Sequence, residues 1–321
     1  MTAAWTASRP ARIDRRGVAL GLLSSASFGT SGPFAKALLA TGWSPGAAVT
    51  ARISLAALLL AVPTALSMRG RWPLVRPHLG MIVLYGLLAV GGCQLFYFTA
   101  VQTLSVGVAL LLEYLGLVLV VGWLWVAHGH RPRRWTVVGM VLSVLGLVLV
   151  LDVTGEMEVD LAGVLWGLAA AVGLAAYFVI SARETGDLPP LMMAAGGMVV
   201  AAVVLTTAGL LGVMPMEGST AHTELAGLRL PWWVPVLGLA LVAGAFAYAV
   251  GIEAARELGS KVAAFLGLTE VLFAIGFAWL VLDELPLPIQ LVGGLLIIAG
   301  VAAVRYEELS DAPAMGAEPL P

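Results

Sequence analysis

Charge is what this sequence has least of. Only 11% of its 321 residues are charged, 17 Lys and Arg against 19 Asp and Glu. Soluble domains carry about 25% charge, and so thin a supply cannot cover a water-facing surface. Cysteine is nearly absent too: Cys93 stands alone, which excludes an intrachain disulfide. No excess of positive charge exists either, because the net charge is −2 and the isoelectric point about 6.1. A nucleic-acid partner, which needs clustered cations, is therefore excluded. Each of the four histidines (His78, His128, His130 and His222) falls in a predicted loop, no apolar run holds paired aspartates, and Cys93 has no histidine beside it. An intramembrane enzyme needs such a cluster, and a channel needs charge rings or a carbonyl filter; the sequence displays none of these.

Apolar residues are what the chain does have, at 60% of the total with a mean hydropathy of +0.98. At roughly 20 residues per span, that suffices for about ten crossings. Breaking the chain at its charged and Pro/Gly-rich points yields ten apolar segments: 17–40, 45–66, 79–101, 105–127, 135–151, 161–182, 191–213, 232–254, 262–282 and 287–305. Backbone amides must be paired within hydrocarbon, and the runs lack the ten-residue alternation of a barrel. The predicted fold class is therefore all-α, a polytopic bundle of ten transmembrane helices in the lipid bilayer, with short tails at 1–16 and 306–321. Arg9, Arg12, Arg15 and Arg16 before an apolar run, with Ser24-Ser25-Ala26 after it, also fit a signal peptide. Recurrence of this segment later in the chain argues against that reading.

The recurrence is a repeat. Shifted by 154 residues, Ala100 falls on Ala254, Leu104 on Leu258, Trp125 on Trp279, Gly139 on Gly293 and Gly146 on Gly300; shifted by 146, Gly17 and Gly21 fall on Gly163 and Gly167. The chain thus reads as two five-helix units, 17–151 and 161–305. Five is odd, so the second unit is expected upside down. Cation placement agrees by the positive-inside rule. With the N-terminus inside, 14 Lys and Arg fall in cytoplasmic segments, Arg229 alone falls outside, and Lys36 and Arg52 lie within helices. Inverted repeats of this kind are the architecture of carriers that alternate access to a central site.

Ionisable residues within spans are functional hypotheses by default. Glu113 and Glu270 lie deepest, each eight residues from a helix end and so about 12 Å in at 1.5 Å per residue. Under the repeat Glu270 aligns with Gly116 and Glu113 with Gly267, one helical turn from mutual equivalence. Both are candidates for substrate binding; the alternative is a hydrogen-bonded structural role in helix packing. Lys36 and Arg52 are expected either to snorkel to the interface or to meet the carboxylate of a substrate or of Glu113. Glu253 is expected to pair with Arg256 at an inner helix end. Gln94, Tyr97, Trp166, Tyr177 and Tyr248 are the polar and aromatic candidates. Gln94 and Tyr248 are equivalent in the repeat, and Gln94 and Tyr97 share a helix face. Trp72, Trp232 and Trp233 fit an interfacial aromatic belt. The glycine pairs Gly17/Gly21, Gly163/Gly167, Gly139/Gly146 and Gly293/Gly300 fit close helix packing.

Gly29 to Lys36 with Arg52, and the Phe265–Glu270 run leading through Trp279 to Asp283-Glu284 and on to Gly293 and Gly300, resemble the EamA-type drug/metabolite transporter superfamily over nearly the whole chain. Leu112-Glu113-Tyr114-Leu115-Gly116 is similar to its threonine/homoserine exporter branch. Val271 and Leu117 stand where the family commonly has proline, and His130 where it has glutamate. The resemblance implies a bacterial inner-membrane exporter of amino acids or related metabolites with both termini cytoplasmic. A central cavity lined by helices 1, 3, 4, 6, 8 and 9 is implied as well. It implies no metal or cofactor, leaves proton coupling open, and fits a monomer or weak homodimer. Export of drugs or toxins and carriage of sugars or nucleotide sugars are the alternatives within the carrier class.

Overall fold

A computed structural model describes residues 15–100, 103, 106–129, 131–150, 160–183, 188–282 and 287–310. Arg9, Arg12, Gln102, Leu104, His130, Asp283, Glu284 and the C-terminal tail from 311 lie outside the described residues. The first half of the chain begins with α1 (Arg15–Gly29), α2 (Ser31–Leu39) and α3 (Pro45–Ser67). It continues through α4 (Val75–Tyr85), a π-helical segment (Gly86–Gly92) and α5 (Cys93–Ala100) to α6 (Val106–Tyr114), α7 (Gly116–His128) and α8 (Arg134–Val150). The second half holds α9 (Leu161–Ser181), α10 (Pro190–Leu210), a small hairpin of β1 (Thr223–Leu225) and β2 (Leu228–Leu230), and α11 (Trp233–Ala240). A second π-helical segment (Leu241–Phe246) leads into α12 (Ala247–Gly267), followed by α13 (Thr269–Leu282) and α14 (Pro288–Ser310).

The chain is a polytopic membrane protein. Among the described residues, seven helical stretches are long and apolar enough to cross a bilayer, and α8 is a shorter apolar helix. The longest, Trp233–Gly267, runs 35 residues, well beyond one span. It breaks at Gly259, whose φ of +77° and ψ of 161° are not helical. Glycine is required there because a side chain disfavours positive φ.

Three further breaks are tighter turns within otherwise continuous helix. Thr30, Leu115 and Leu268 each donate their backbone N–H to the carbonyl three residues back, at 3.3, 3.1 and 3.2 Å. Thr30 reinforces its break by donating its hydroxyl to the Ser27 carbonyl at 2.6 Å. Around these breaks α1 packs along α12 and α13, while α9 packs along α5, α6 and α7.

Glycines set the closest approaches, as the spacing predicted. A Cβ at Gly146 would lie 2.5 Å from the Gly293 carbonyl oxygen, and one at Gly293 2.6 Å from that of Gly146. Gly139 and Gly300 stand in the same mutual relation at 2.7 Å. The pairs 139–300 and 146–293 make α8 and α14 antiparallel. Gly21 of α1 faces Leu266, and Gly167 of α9 faces Leu112; these contacts exchange under the two sequence shifts.

Two polar assemblies tie the bundle ends. Ser44 caps α3 by accepting from Ala47 N–H at 3.3 Å, and its hydroxyl donates to the Pro215 carbonyl at 2.8 Å. Trp43 donates to the Ser219 carbonyl at 2.8 Å and packs against Trp232, so the loop before the hairpin is bound to the α2–α3 turn. Trp72 and Trp233 are both exposed on the bundle surface, as belt residues are. At the other end Arg16 contacts Glu253 at 3.0 Å and Glu257 at 2.8 Å. Glu253 thus has Arg16 as an ion-pair partner because α1 comes alongside α12, while Arg256, expected beside it, interacts with it electrostatically and donates to the Leu188 carbonyl at 2.8 Å.

Candidate functional site

A cavity with about 90 Å³ of room for water-sized molecules lies among α1, α5, α6, α9, α12 and α13. Both deep glutamates belong to its wall, as do Gln94, Tyr177 and Tyr248. Glu113 lies two residues before the break at Leu115, and Glu270 follows the break at Leu268 by two residues. Each carboxylate thus stands where a helix changes pairing near mid-span.

The two carboxylates have different partners. Cys93 donates its thiol to Glu113 Oε1 at 3.2 Å, with the Ala170 carbonyl 3.6 Å away on the other side. Tyr114, the residue after Glu113, has its hydroxyl within hydrogen-bonding reach of Glu270. Gln94 and Tyr248, equivalent under the 154-residue shift, line the same wall. On α1, Ser24 donates to the Ala247 carbonyl at 2.9 Å and Ser25 to the Leu266 carbonyl at 3.3 Å. These bonds fasten α1 to the second half along the cavity.

Aromatic rings make up another wall. Phe28 and Tyr248 are 5.0 Å apart at 76°, Tyr177 and Tyr248 5.6 Å apart at 89°, and Phe28 and Tyr177 6.4 Å apart at 88°. The three planes are close to mutually perpendicular and form a corner.

Four predicted residues are not part of the wall. Arg52 neither snorkels nor reaches the cavity surface: it is 6% exposed, and its Nη2 donates at 2.7 Å to the Ala243 carbonyl inside the second π-helical segment. Lys36 is exposed on α2. Tyr97 packs against Ala100 and Ala109, and Trp166 stacks on Phe96 while remaining 42% exposed.

Cys93, Tyr114, Ser24, Ser25 and Phe28 were absent from the sequence-based set. Position offered a signal for two of them, since Tyr114 is bonded to one candidate and Cys93 to another along the chain. Nothing local distinguishes Ser24 or Phe28 from packing residues.

Two apolar halves enclosing a polar cavity at mid-span, with a partly buried carboxylate from each, fit a membrane protein of the transporter class. The chain belongs to the EamA-like transporter family, whose model matches it twice, over residues 15–152 and 161–306. It is 27% identical over 205 residues to an uncharacterized transporter of Archaeoglobus fulgidus, covering 64% of this chain and 69% of that one. With an uncharacterized transporter of Synechocystis sp. it shares 26% identity over 180 residues, 55% of this chain and about half (51%) of the relative's length. Its fold is similar to that of a protein solved by crystallography, with a TM-score of 0.72 at 19% identity over 91% of this chain and 98% of that one.

Proposed function

We propose that the chain is a secondary transporter that exports small metabolites, amino acids or related compounds foremost, by alternating access through the central cavity. Its repeats are 17–151 and 161–305, five helices each, the second inverted relative to the first in a bacterial inner membrane with both termini cytoplasmic. The observation that carries this reading is that Gln94 and its own repeat equivalent, Tyr248, line the same cavity wall. Equivalent residues that face one cavity put it near the axis that would relate the halves, where exchanging the conformations of the halves would open it to either side. The antiparallel crossing of α8 and α14, equivalent under the same shift, supports inversion.

Ten helices follow if α1 and α2 count as one span broken at Thr30 and the 35-residue stretch divides at Gly259. Leu112 to Gly116, with its early glutamate, favours the threonine/homoserine exporter-like branch. No cofactor is needed for such a cycle; Glu113 and Glu270 are the groups through which proton coupling would run. The cation asymmetry of the sequence supports the stated orientation.

The test is counterflow of labelled amino acids in liposomes containing the purified full chain. Glu270→Gln and Glu113→Gln are expected to reduce flux at least tenfold while leaving thermal unfolding unchanged. Undiminished flux in both variants would remove the carboxylates from the mechanism, and no counterflow across an amino-acid panel would overturn the substrate class.

A further inference from the structure

We infer that the ligand group held by this cavity is an organic ammonium, so that within the class proposed above the related compounds lacking a free carboxylate, such as amines derived from amino acids, are held more tightly than the zwitterions. The inference takes from the carrier reading only that the cavity is the binding site.

Charge in the wall comes first. Among the described residues that form it, Glu113 and Glu270 are the acidic ones, and none is Lys, Arg or His. Their neighbours Cys93 and Tyr114 are neutral donors, so they orient the carboxylates without supplying a counter-charge. The two cations expected to receive a substrate carboxylate do not reach it. Arg52 acts electrostatically on both carboxylates from behind the wall but gives its hydrogen bond to the Ala243 carbonyl, and Lys36 is exposed on α2. A zwitterion would bring its own carboxylate beside two others. The hydroxyls of Ser24 and Ser25 are already given to the carbonyls of Ala247 and Leu266, and the remaining donors in the wall, the Gln94 amide and the tyrosine hydroxyls, are neutral and do not balance a third carboxylate. An ammonium meets the opposite situation, two acceptors of the right sign in a low-dielectric enclosure.

The rings are the independent observation. Phe28, Tyr177 and Tyr248 line the same cavity as three nearly perpendicular planes. Where a ring in such a corner turns its π-electron face to the cavity it attracts a cation, and cation–π attraction strengthens as water is excluded. Leu110 and Leu174 complete an apolar wall around the carboxylates. A hard metal ion prefers six or more oxygen ligands or retained waters, which this wall does not supply. An alkylated or primary ammonium with a small apolar body matches both surfaces.

The experiment compares three ligands that share one ring and differ only in head charge: phenethylamine, phenylalanine and 3-phenylpropionate. Binding is measured by titration calorimetry on the full chain in nanodiscs at pH 7.5. Phenethylamine is expected to bind at least tenfold more tightly than phenylalanine, with 3-phenylpropionate weakest. Glu113→Gln and Glu270→Gln should each weaken the amine by tenfold or more, whereas Glu113→Asp, which keeps the charge, should preserve the order. Tyr248→Leu should weaken the amine more than it weakens phenylalanine. Phenylalanine binding as tightly as the amine would overturn the inference, as would failure of the amine to bind, or amine binding indifferent to both Glu→Gln changes. Counterflow separates the two readings: amine binding without flux defeats the carrier and leaves the ammonium site standing, while flux of zwitterions without amine preference does the reverse.

Discussion

The two halves match in backbone irregularity and differ in chemistry. Moved by 154 residues, the π-helical segment Gly86–Gly92 falls on 240–246, and the second such segment is Leu241–Phe246. The breaks at Leu115 and Leu268 are 153 residues apart and use the same three-residue pairing. Side chains depart from this correspondence at the site. Cys93, Tyr114 and Arg52 have Ala247, Leu268 and Met198 as counterparts. Both deep carboxylates thus take their hydrogen-bond partners from the first half. The second half contributes Tyr177 and Tyr248, two of the three rings of the corner. The first helix differs as well: it breaks at Thr30, whereas α9 runs unbroken past Ala176, the equivalent position. Backbone form has been kept in both halves while the polar groups have been divided between them.

The sharpest way to break this comparison is at the α8–α14 crossing. Gly300→Leu and Gly139→Leu would each drive a side chain into the backbone of the facing helix, at an expected cost of about 3 kcal/mol or more. Monodisperse protein should be lost in fluorescence-detected size-exclusion chromatography for both, while Gly122→Ala, where a Cβ meets open space, should be silent. Tolerance of either leucine would contradict the close approach.

Arg52→Met imports the residue found at the equivalent position of the second half. It leaves the Ala243 carbonyl without its buried donor, which costs about 1–3 kcal/mol. A melting temperature unchanged from the parent would show that the arginine is dispensable and that the halves differ less than described.

Gly21→Ala and Gly167→Ala test the matched contacts with Leu266 and Leu112. Overpacking of about 1–2 kcal/mol is expected at each, and the two should agree within about 0.5 kcal/mol. A large disparity in denaturant midpoints would mean that α1 and α9 are seated differently.

Smaller effects belong to the exposed ends. Arg16→Ala removes contacts to Glu253 and Glu257 from a side chain that is 68% exposed, so no more than about 1 kcal/mol is expected, shrinking as salt is raised. Its counterpart Ala162 carries no charge, and the Ala162→Ser control should be neutral. Asp160 accepts from the Gly163 N–H at 2.9 Å at the start of α9, which holds its carboxyl below the usual aspartate value. The folded-state value is the lower one, so this cap contributes fully above the unfolded value and fades as pH falls through the folded one. Asp160→Asn should therefore flatten the acid limb of stability against pH, lowering stability at neutral pH and leaving it nearly unchanged at low pH.

Apolar run length made the membrane class legible, because the bilayer fixes a minimum for each helix. Depth along a run picked out Glu113 and Glu270, and self-comparison paired Gln94 with Tyr248 before the structure brought them together. For Arg52, distance to a helix end says nothing of which face the residue occupies. On α3 that face meets the second π-helical segment, whose carbonyl takes the guanidinium. Neither π-helical segment leaves a trace in hydropathy, since one inserted residue in an all-apolar run changes no pattern. Tyr97 shares a helix face with Gln94 yet packs against Ala109, because the neighbouring α6 covers that end of the face.

Those inserted residues have a geometric effect on everything that follows them. A π turn holds one residue more than an α turn, so it rotates the downstream helix by about 100° relative to an uninterrupted one. Cys93 and Gln94 come directly after Gly92, and Ala247 and Tyr248 directly after Phe246. Deleting one residue from each segment would leave the length and hydropathy of both spans almost untouched and turn these side chains by more than a quarter of a revolution away from the cavity. The π-helical segments act as phase shifters: they decide which residues of an otherwise featureless helix face the solute and which face the lipid.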